Sequence, residues 1–229
     1  FFRGSSILLS GTAGTGKTSA AASFIAAACR RGERCIYFAF EESSAQIIRN
    51  MRSIGINLEP WATKGILRFR AERPSVYGLE THLLTMHKAI HDFKPAVVVV
   101  DPITNLISAG NSLDVKSMLT RLIDFLKMNQ ITTMFTTLTS AGGPLEQSEV
   151  GISSLADVWV LRRDIEIGGE RNRAMYILKA RGMAHSNQIR EFLLTDKGIS
   201  LMDVYVGPSG VLTGSARLVQ EAQEKGTEL

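Results

Sequence analysis

The chain has little of what marks secreted, membrane-bound or metal-built proteins. It carries two cysteines, Cys29 and Cys35, in 229 residues. Their spacing fits no metal pattern, and two thiols make no disulfide framework. One falls on a helical stretch and the other at a strand start, so both read as buried thiols. No apolar run approaches the ~18 residues that cross a bilayer, and no charged leader with an apolar core is visible. These absences predict a cytoplasmic protein with no membrane partner. The formal net charge of +4 is too mild to argue for nucleic acid by itself. No internal repeat is visible either. With 45% hydrophobic and 21% charged residues, the chain can build the core of one large α/β domain. Phe1-Phe2-Arg3-Gly4 comes only a few residues before a core strand, which suggests a piece of a longer polypeptide.

One motif is complete. Gly11-Thr12-Ala13-Gly14-Thr15-Gly16-Lys17-Thr18 is a G-x-x-x-x-G-K-T phosphate loop. The apolar Ile7–Ser10 before it reads as a buried strand, and the Ala-rich Ser19–Cys29 after it as a helix, the context the motif requires. Glycines let backbone N–H groups turn toward phosphates, and the helix N-terminus favours an anion. The binding set is Ala13, Gly14, Thr15, Gly16, Lys17, Thr18 and Ser19, with Lys17 on the β- and γ-phosphates and Thr18 on Mg²⁺. A Gly-rich turn with a stray Lys-Thr is the bland alternative, and the flanking strand and helix weigh against it.

Strand and helix patterns then alternate. Cys35–Phe40 reads as a strand, Ser44–Ile54 as a helix, Ile66–Phe69 as a short strand and Leu79–Phe93 as an amphipathic helix. Ala96–Val100 is the most apolar run, followed by a helix over Asp114–Met128 and a β-branched strand over Ile131–Leu138. Fully apolar strands alternating with helices indicate a mainly parallel sheet covered by helices on both faces. Thr139–Ser148, with Gly142-Gly143-Pro144, reads as a loop. Val158–Arg162, Met175–Lys179 and Ile189–Leu194 read as strands joined by turns at Gly168-Gly169 and near Gly182, an antiparallel C-terminal extension. Residues 1–205 form the domain; 206–229 form a tail, partly flexible, with room for a short helix over Ala216–Lys225.

Three groups could complete the loop's chemistry. Asp101 closes four valines at the ligand edge of the sheet, where a Walker B carboxylate orients the metal. Glu41 and Glu42 close the strand expected beside the phosphate-loop strand. Glu41 is the candidate general base and a further metal contact, with Glu42 in support. Ser43 also fits a cap for the next helix, and the two readings are compatible. The third group is the basic cluster Arg171, Arg173, Lys179 and Arg181. On a strand Lys179 and Arg181 point the same way, either as a solvated face or as fingers toward a neighbouring subunit's γ-phosphate.

Gly11–Thr18, Phe38–Ser43, Gln46–Asn50, Val97–Pro102, Leu178–Ser186 and Ile189–Phe192 occur in order, and together resemble RecA-type ATPases of the KaiC family. The likeness runs from Phe1 to about Leu201. It implies a RecA-like P-loop NTPase fold, a hexameric homo-oligomeric ring with ATP and Mg²⁺ between subunits, and two tandem ATPase repeats of which one is present. It also implies regulatory partners of the Kai type. Glu41 and Glu42 match the catalytic carboxylates and Asp101 the Walker B residue, while Arg173, Lys179 and Arg181 match cations that reach ATP across the subunit boundary. The resemblance also places Ser153 and Ser154 where the family phosphorylates adjacent hydroxyls, and favours a C-terminal repeat. Ser154 with Asp157 has helix-capping spacing, the alternative reading of that pair.

The expected function is a Mg-ATP-dependent ring ATPase with serine autokinase activity, a circadian or similar signalling module. A KaiC-like ATPase without kinase activity and a nucleic-acid motor are the alternatives. Against a motor, Thr139–Ile152 contains no Lys, Arg or aromatic residue and carries Glu146 and Glu149, which would repel a phosphate backbone.

Overall fold

The computed structural model describes residues 1–139, 151–167, 169–202, 205–207 and 210–227. The expected loop at Thr139–Ser148 with its glycines, Glu146 and Glu149 therefore lies almost wholly outside the described residues, as do Gly168 and part of the tail. The strands are β1 (Ser6–Gly11), β2 (Cys35–Ala39), β3 (Leu67–Ala71), β4 (Val97–Asp101), β5 (Thr132–Leu138), β6 (Val158–Ile167), β7 (Glu170–Ala180), β8 (Arg190–Thr195) and β9 (Gly198–Met202). They form one sheet in the order β3-β2-β4-β5-β1-β6-β7-β8-β9. From β3 to β6 every pairing is parallel, and from β6 to β9 every pairing is antiparallel. A separate hairpin pairs β10 (Tyr205–Gly207) with β11 (Gly210–Leu212).

The helices are α1 (Lys17–Arg30), α2 (Ser44–Arg52), α3 (Glu59–Thr63), α4 (Leu79–Phe93), α5 (Ser112–Met128) and α6 (Gly214–Thr227). α4 and α5 bury Leu83, Met86, Leu119 and Leu122 on one face of the sheet with Val98 and Val100. α1 buries Ala22, Ile25 and Ala26 on the other with Val97 and Val99. Alternate valines of β4 therefore serve opposite cores, as the period of two in a strand requires, and both cores exclude water from the same strand. The alanines of α1 let it lie close to the sheet. Cys29 and Cys35 are both buried.

Strand order departs from expectation at one point. β2, which leads into Glu41, is not beside β1, because β4 and β5 lie between them. A helix about 10 Å wide spans two strands about 4.8 Å apart. The α1 crossover thus sets β2 down beyond them, and the next two strands fill the gap. β3 remains an edge strand, with Arg68 and Arg70 exposed and Arg68 4.0 Å over the Phe93 ring.

α6 is fixed to the antiparallel half by charge. Arg217 Nε donates to Glu191 of β8 at 2.9 Å, with both side chains buried. The backbone N–H of Gly214 donates to the same carboxylate, and that of Ser215 to Glu170, so two carboxylates satisfy the open end of the helix. Removing one member of a buried pair strands the other. Arg217→Ala is expected to cost about 3–5 kcal/mol, lowering the midpoint of thermal unfolding by roughly 6–20 °C for a chain of this size; calorimetry checks it, with Leu218→Ala, at an exposed position, expected to leave the midpoint nearly unchanged.

Candidate active site

The parallel strands end together, and the loops that follow them make one cleft. Ala13, Gly14, Gly16, Lys17, Thr18 and Ser19 line it from the phosphate loop, Glu41 and Glu42 from the end of β2, and Asp101 and Pro102 from β4. Leu138 and Leu194 complete a cavity of about 370 Å³. The loop is built for close approach. Gly14 and Gly16 adopt φ of 81° and 80°, a region closed to most L-residues. A Cβ on Gly11 would meet the Arg162 carbonyl oxygen at 2.5 Å. The Thr15 hydroxyl donates to the Thr12 carbonyl at 2.9 Å and holds the turn.

Lys17 is buried, and its ammonium donates to the carbonyls of Gly11 at 2.8 Å and Thr12 at 2.7 Å. Burial pushes its pKa down to about 8, opposed by the charge of Asp101 and assisted by that of Arg162. Asp101 is 6% exposed. The Tyr37 hydroxyl donates to Oδ2 at 2.5 Å and the Thr136 hydroxyl to Oδ1. Burial foremost, then the neighbouring carboxylate, holds the Tyr37 phenol well above its ordinary range, so it stays a donor. Glu41 is exposed at the mouth of the cleft, while Glu42 accepts from Asn50 at 3.2 Å. Ser43 makes a capping box with Gln46 at the start of α2, and this fixes where β2 lets go of its two carboxylates. A second cavity of about 570 Å³ opens beside Glu41, between Arg73, Thr104 and Ser108.

The donor set suits a magnesium-bound nucleotide. Lys17, Thr18, the left-handed Gly14 and Gly16, and Asp101 all line the cleft where phosphates and a metal would lie. Among the described residues no three His, Cys, Asp or Glu gather as a self-sufficient metal site, so a metal at Thr18 and Asp101 would need the nucleotide's own oxygens, as magnesium commonly does.

The basic cluster is divided. Arg173 stays at the phosphate loop, its Nε donating to the Gly14 carbonyl at 3.2 Å in the same chain, and Arg171 pairs with Asp164 at 2.6 Å. Lys179 and Arg181 lie at the other end of β7. Lys179 is level with Trp159, and Trp159 with Leu8, three residues before Gly11, which is about 10 Å of strand. Lys179 donates to the Ser153 carbonyl at 2.8 Å and Arg181 to that of Ser154 at 2.8 Å. Burial, then the charge of Arg181, lowers the Lys179 pKa. Ser153 and Ser154 precede β6 at this far end, away from their own phosphate loop. They form a turn rather than a helix start, so the capping reading of Ser154 with Asp157 does not hold. Asp157 instead accepts from the backbone and hydroxyl of Ser6 and from Lys127. Burial works against its charge, yet those bonds keep its carboxyl below the usual range.

Sequence reasoning missed Tyr37, Thr136 and Arg162. The signal for Tyr37 was a polar group inside an apolar strand; Thr136, one of four threonines in β5, carried no local signal; for Arg162 it was a cation at the end of an apolar run.

A mostly parallel sheet with a phosphate loop after its first strand and a carboxylate closing β4 defines a RecA-like P-loop ATPase domain. A family model described as "ATPase: KaiC" matches residues 1–204, and the chain belongs to that family. The circadian clock protein KaiC2 of Synechocystis sp. is 51% identical over 98% of the chain and 40% of its own length. The circadian clock oscillator proteins KaiC of Thermosynechococcus vestitus and Synechococcus elongatus are 36% and 34% identical, over 94% and 100% of the chain. The chain spans 40–46% of the length of these relatives. No helix among the described residues is long and apolar enough to cross a membrane.

The low Lys17 pKa has a stability consequence. A lysine near 10.5 when unfolded and near 8 when folded destabilises the fold fully below pH 8. That cost, up to about 3 kcal/mol, fades as pH rises from 8 to 10.5 and is gone above it, where both states are neutral. Without nucleotide, the stability of Lys17→Met minus that of wild type should therefore fall between pH 7 and 10; denaturant titrations at several pH values measure it, and a constant difference would contradict the assignment.

Proposed function

We propose that the chain is the ATP-hydrolysing unit of a KaiC-like homo-oligomeric ring, hexameric by family likeness, with each nucleotide held between two subunits. The observation that carries this is the polarity of the fold. Lys17, Thr18, Asp101 and Glu41 lie at one end of the sheet, while Lys179, Arg181, Ser153 and Ser154 lie at the other, too far to serve the same nucleotide within one chain. Head-to-tail contact of two copies would join the two halves, and such contacts form a ring when the rotation between copies closes.

In this reading Lys17 and the loop's N–H groups hold the β- and γ-phosphates, aided by Arg173. Thr18 and Asp101 hold Mg²⁺, with Glu41 close by, and the ion when bound offsets phosphate charge. Tyr37 and Thr136 keep the Asp101 carboxylate oriented. Glu41 accepts the proton of the attacking hydroxyl as its oxygen bonds to the γ-phosphorus. The bond from that phosphorus to the β,γ-bridging oxygen breaks, and ADP leaves with the electron pair. Lys179 and Arg181 of the adjacent copy offset the charge that builds on the phosphoryl group. With water as attacker the result is hydrolysis; with the neighbour's Ser153 or Ser154 it is autophosphorylation. Each phosphate would add about −1.5 to −2 charge beside Lys179 and Arg181 and so change the contact. The relatives' names suggest a clock or similar timing role, and the family likeness adds Kai-type regulatory partners to the proposal. Residues 1–205 would form the ATPase unit and 206–229 an appended tail.

Mixing subunits tests the shared site. Glu41→Gln and Arg181→Ala should each lower steady-state phosphate release by ~10²-fold or more. Rings mixed from the two should regain activity, because some boundaries then carry both intact groups. Mixed rings no faster than either parent, with exchange verified, would place both roles within one subunit.

Mapping of phosphorylated residues after incubation with Mg-ATP tests the second transfer. Phosphate is expected on Ser153 or Ser154, and none on the Ser153→Ala/Ser154→Ala double variant. Normal hydrolysis with neither serine modified would leave an ATPase without kinase activity.

A further inference from the structure

Arg162 is absent from every role described so far, yet it is the most tightly enclosed cation at the loop. It stands on β6 beside Gly11 of β1 and is 1% exposed. Its guanidinium lies 3.4 Å over the Phe192 ring. Nη1 donates to the carbonyl of Gly16, the residue just before α1, while Nε and Nη2 are buried with no hydrogen-bond partner among the described residues. A Cβ on Gly16 would come within 3.2 and 3.3 Å of Nη1 and Nη2, so the cation lies directly beneath the phosphate loop. The charges facing it do not balance it. Asp164 is engaged by Arg171 at 2.6 Å, and Arg173 and Lys17 are both repelled by it.

A cation so enclosed and so poorly paired weakens a fold. An anion in the loop above it reverses that sign. We propose that Arg162 is a positioning residue for the polyphosphate, whose unbalanced charge destabilises the ligand-free chain and strengthens anion binding through the Gly16–Lys17 peptide. The route is short. A donor on the Gly16 carbonyl polarises that peptide, whose N–H belongs to Lys17 and opens toward the anion cradle. Burial, then repulsion from Arg173, pushes the Arg162 pKa down, against the weaker pull of Asp164, in keeping with a charge that is only partly offset. The inference rests on the reading of the loop as a nucleotide site. It adds a cation from β6 that the loop motif does not contain. An arginine present only for packing would act oppositely, since its loss would weaken the fold and leave anion affinity alone.

The test compares wild type, R162M and R162K by thermal unfolding without ligand, and by binding of Mg-ATP and of inorganic tripolyphosphate. R162M should unfold at a temperature equal to or above wild type and bind both anions about tenfold or more weakly. R162K, which keeps the charge, should stay within about fivefold of wild type. A lower unfolding temperature for R162M, or an affinity loss below about fivefold, overturns the proposal. An R162M that does not fold is the extreme of that lower stability and overturns the proposal as well, as does a loss of tripolyphosphate affinity beyond about fivefold in R162K at unchanged unfolding temperature. Wild type that binds tripolyphosphate but not Mg-ATP would defeat the nucleotide reading and leave this inference standing; wild type that binds neither would defeat both.

Discussion

The structure depends on where parallel strands end. Their hydrogen bonds hold β2, β4, β5, β1 and β6 in one direction, so the segments that leave their carboxyl ends share one edge. Helices cover both faces, and a water-excluding sheet leaves only that edge for polar chemistry. Lys17, Asp101 and Glu41 meet there although far apart in sequence. β7 then reverses direction and carries Lys179 and Arg181 back to the opposite edge. The two ends of the sheet are thus chemically different, and the proposed division of a site between copies rests on that difference.

Buried charge sets the character of the nucleotide end. Asp101 is enclosed but satisfied, taking hydrogen bonds from Tyr37 and Thr136. Lys17 is enclosed and satisfied by loop carbonyls that a phosphate would have to outcompete. Arg162 is enclosed and only partly satisfied. These three states rise in cost in that order, and the least satisfied group is the one beneath the loop itself.

Much of this was legible in the sequence where local pattern decides. α4 reads from Leu79 to Phe93 because its apolar spacing is uninterrupted and Lys94 ends it in a left-handed conformation. The phosphate loop reads because its glycines and Lys17 stand in a fixed order. The antiparallel half reads short, since the apolar pattern of Val158–Arg162 gives way to the charged Arg163-Asp164. In the sheet those charges are cross-strand neighbours of β7, with Asp164 opposite Arg173 and paired to Arg171. α3, β10 and β11 are too short for periodicity to declare, and β9, Gly-Ile-Ser-Leu-Met, has too few apolar residues to mark a strand. The partners of Asp101 were hidden for another reason. They depend on β2 and β5 both flanking β4, a long-range order that no window of sequence contains.

The exposed arginines of β3 have a consequence for how copies of the chain meet. An open strand edge offers unpaired backbone groups to any passing strand. At this edge two approaching copies bring Arg68 and Arg70 against their own counterparts, a Coulomb barrier that grows as salt is diluted. In the ring proposed above, contact through the sheet ends would meet the reverse, with Glu41 of one copy facing Lys179 and Arg181 of the next, so dilute salt would favour end-on over sideways approach.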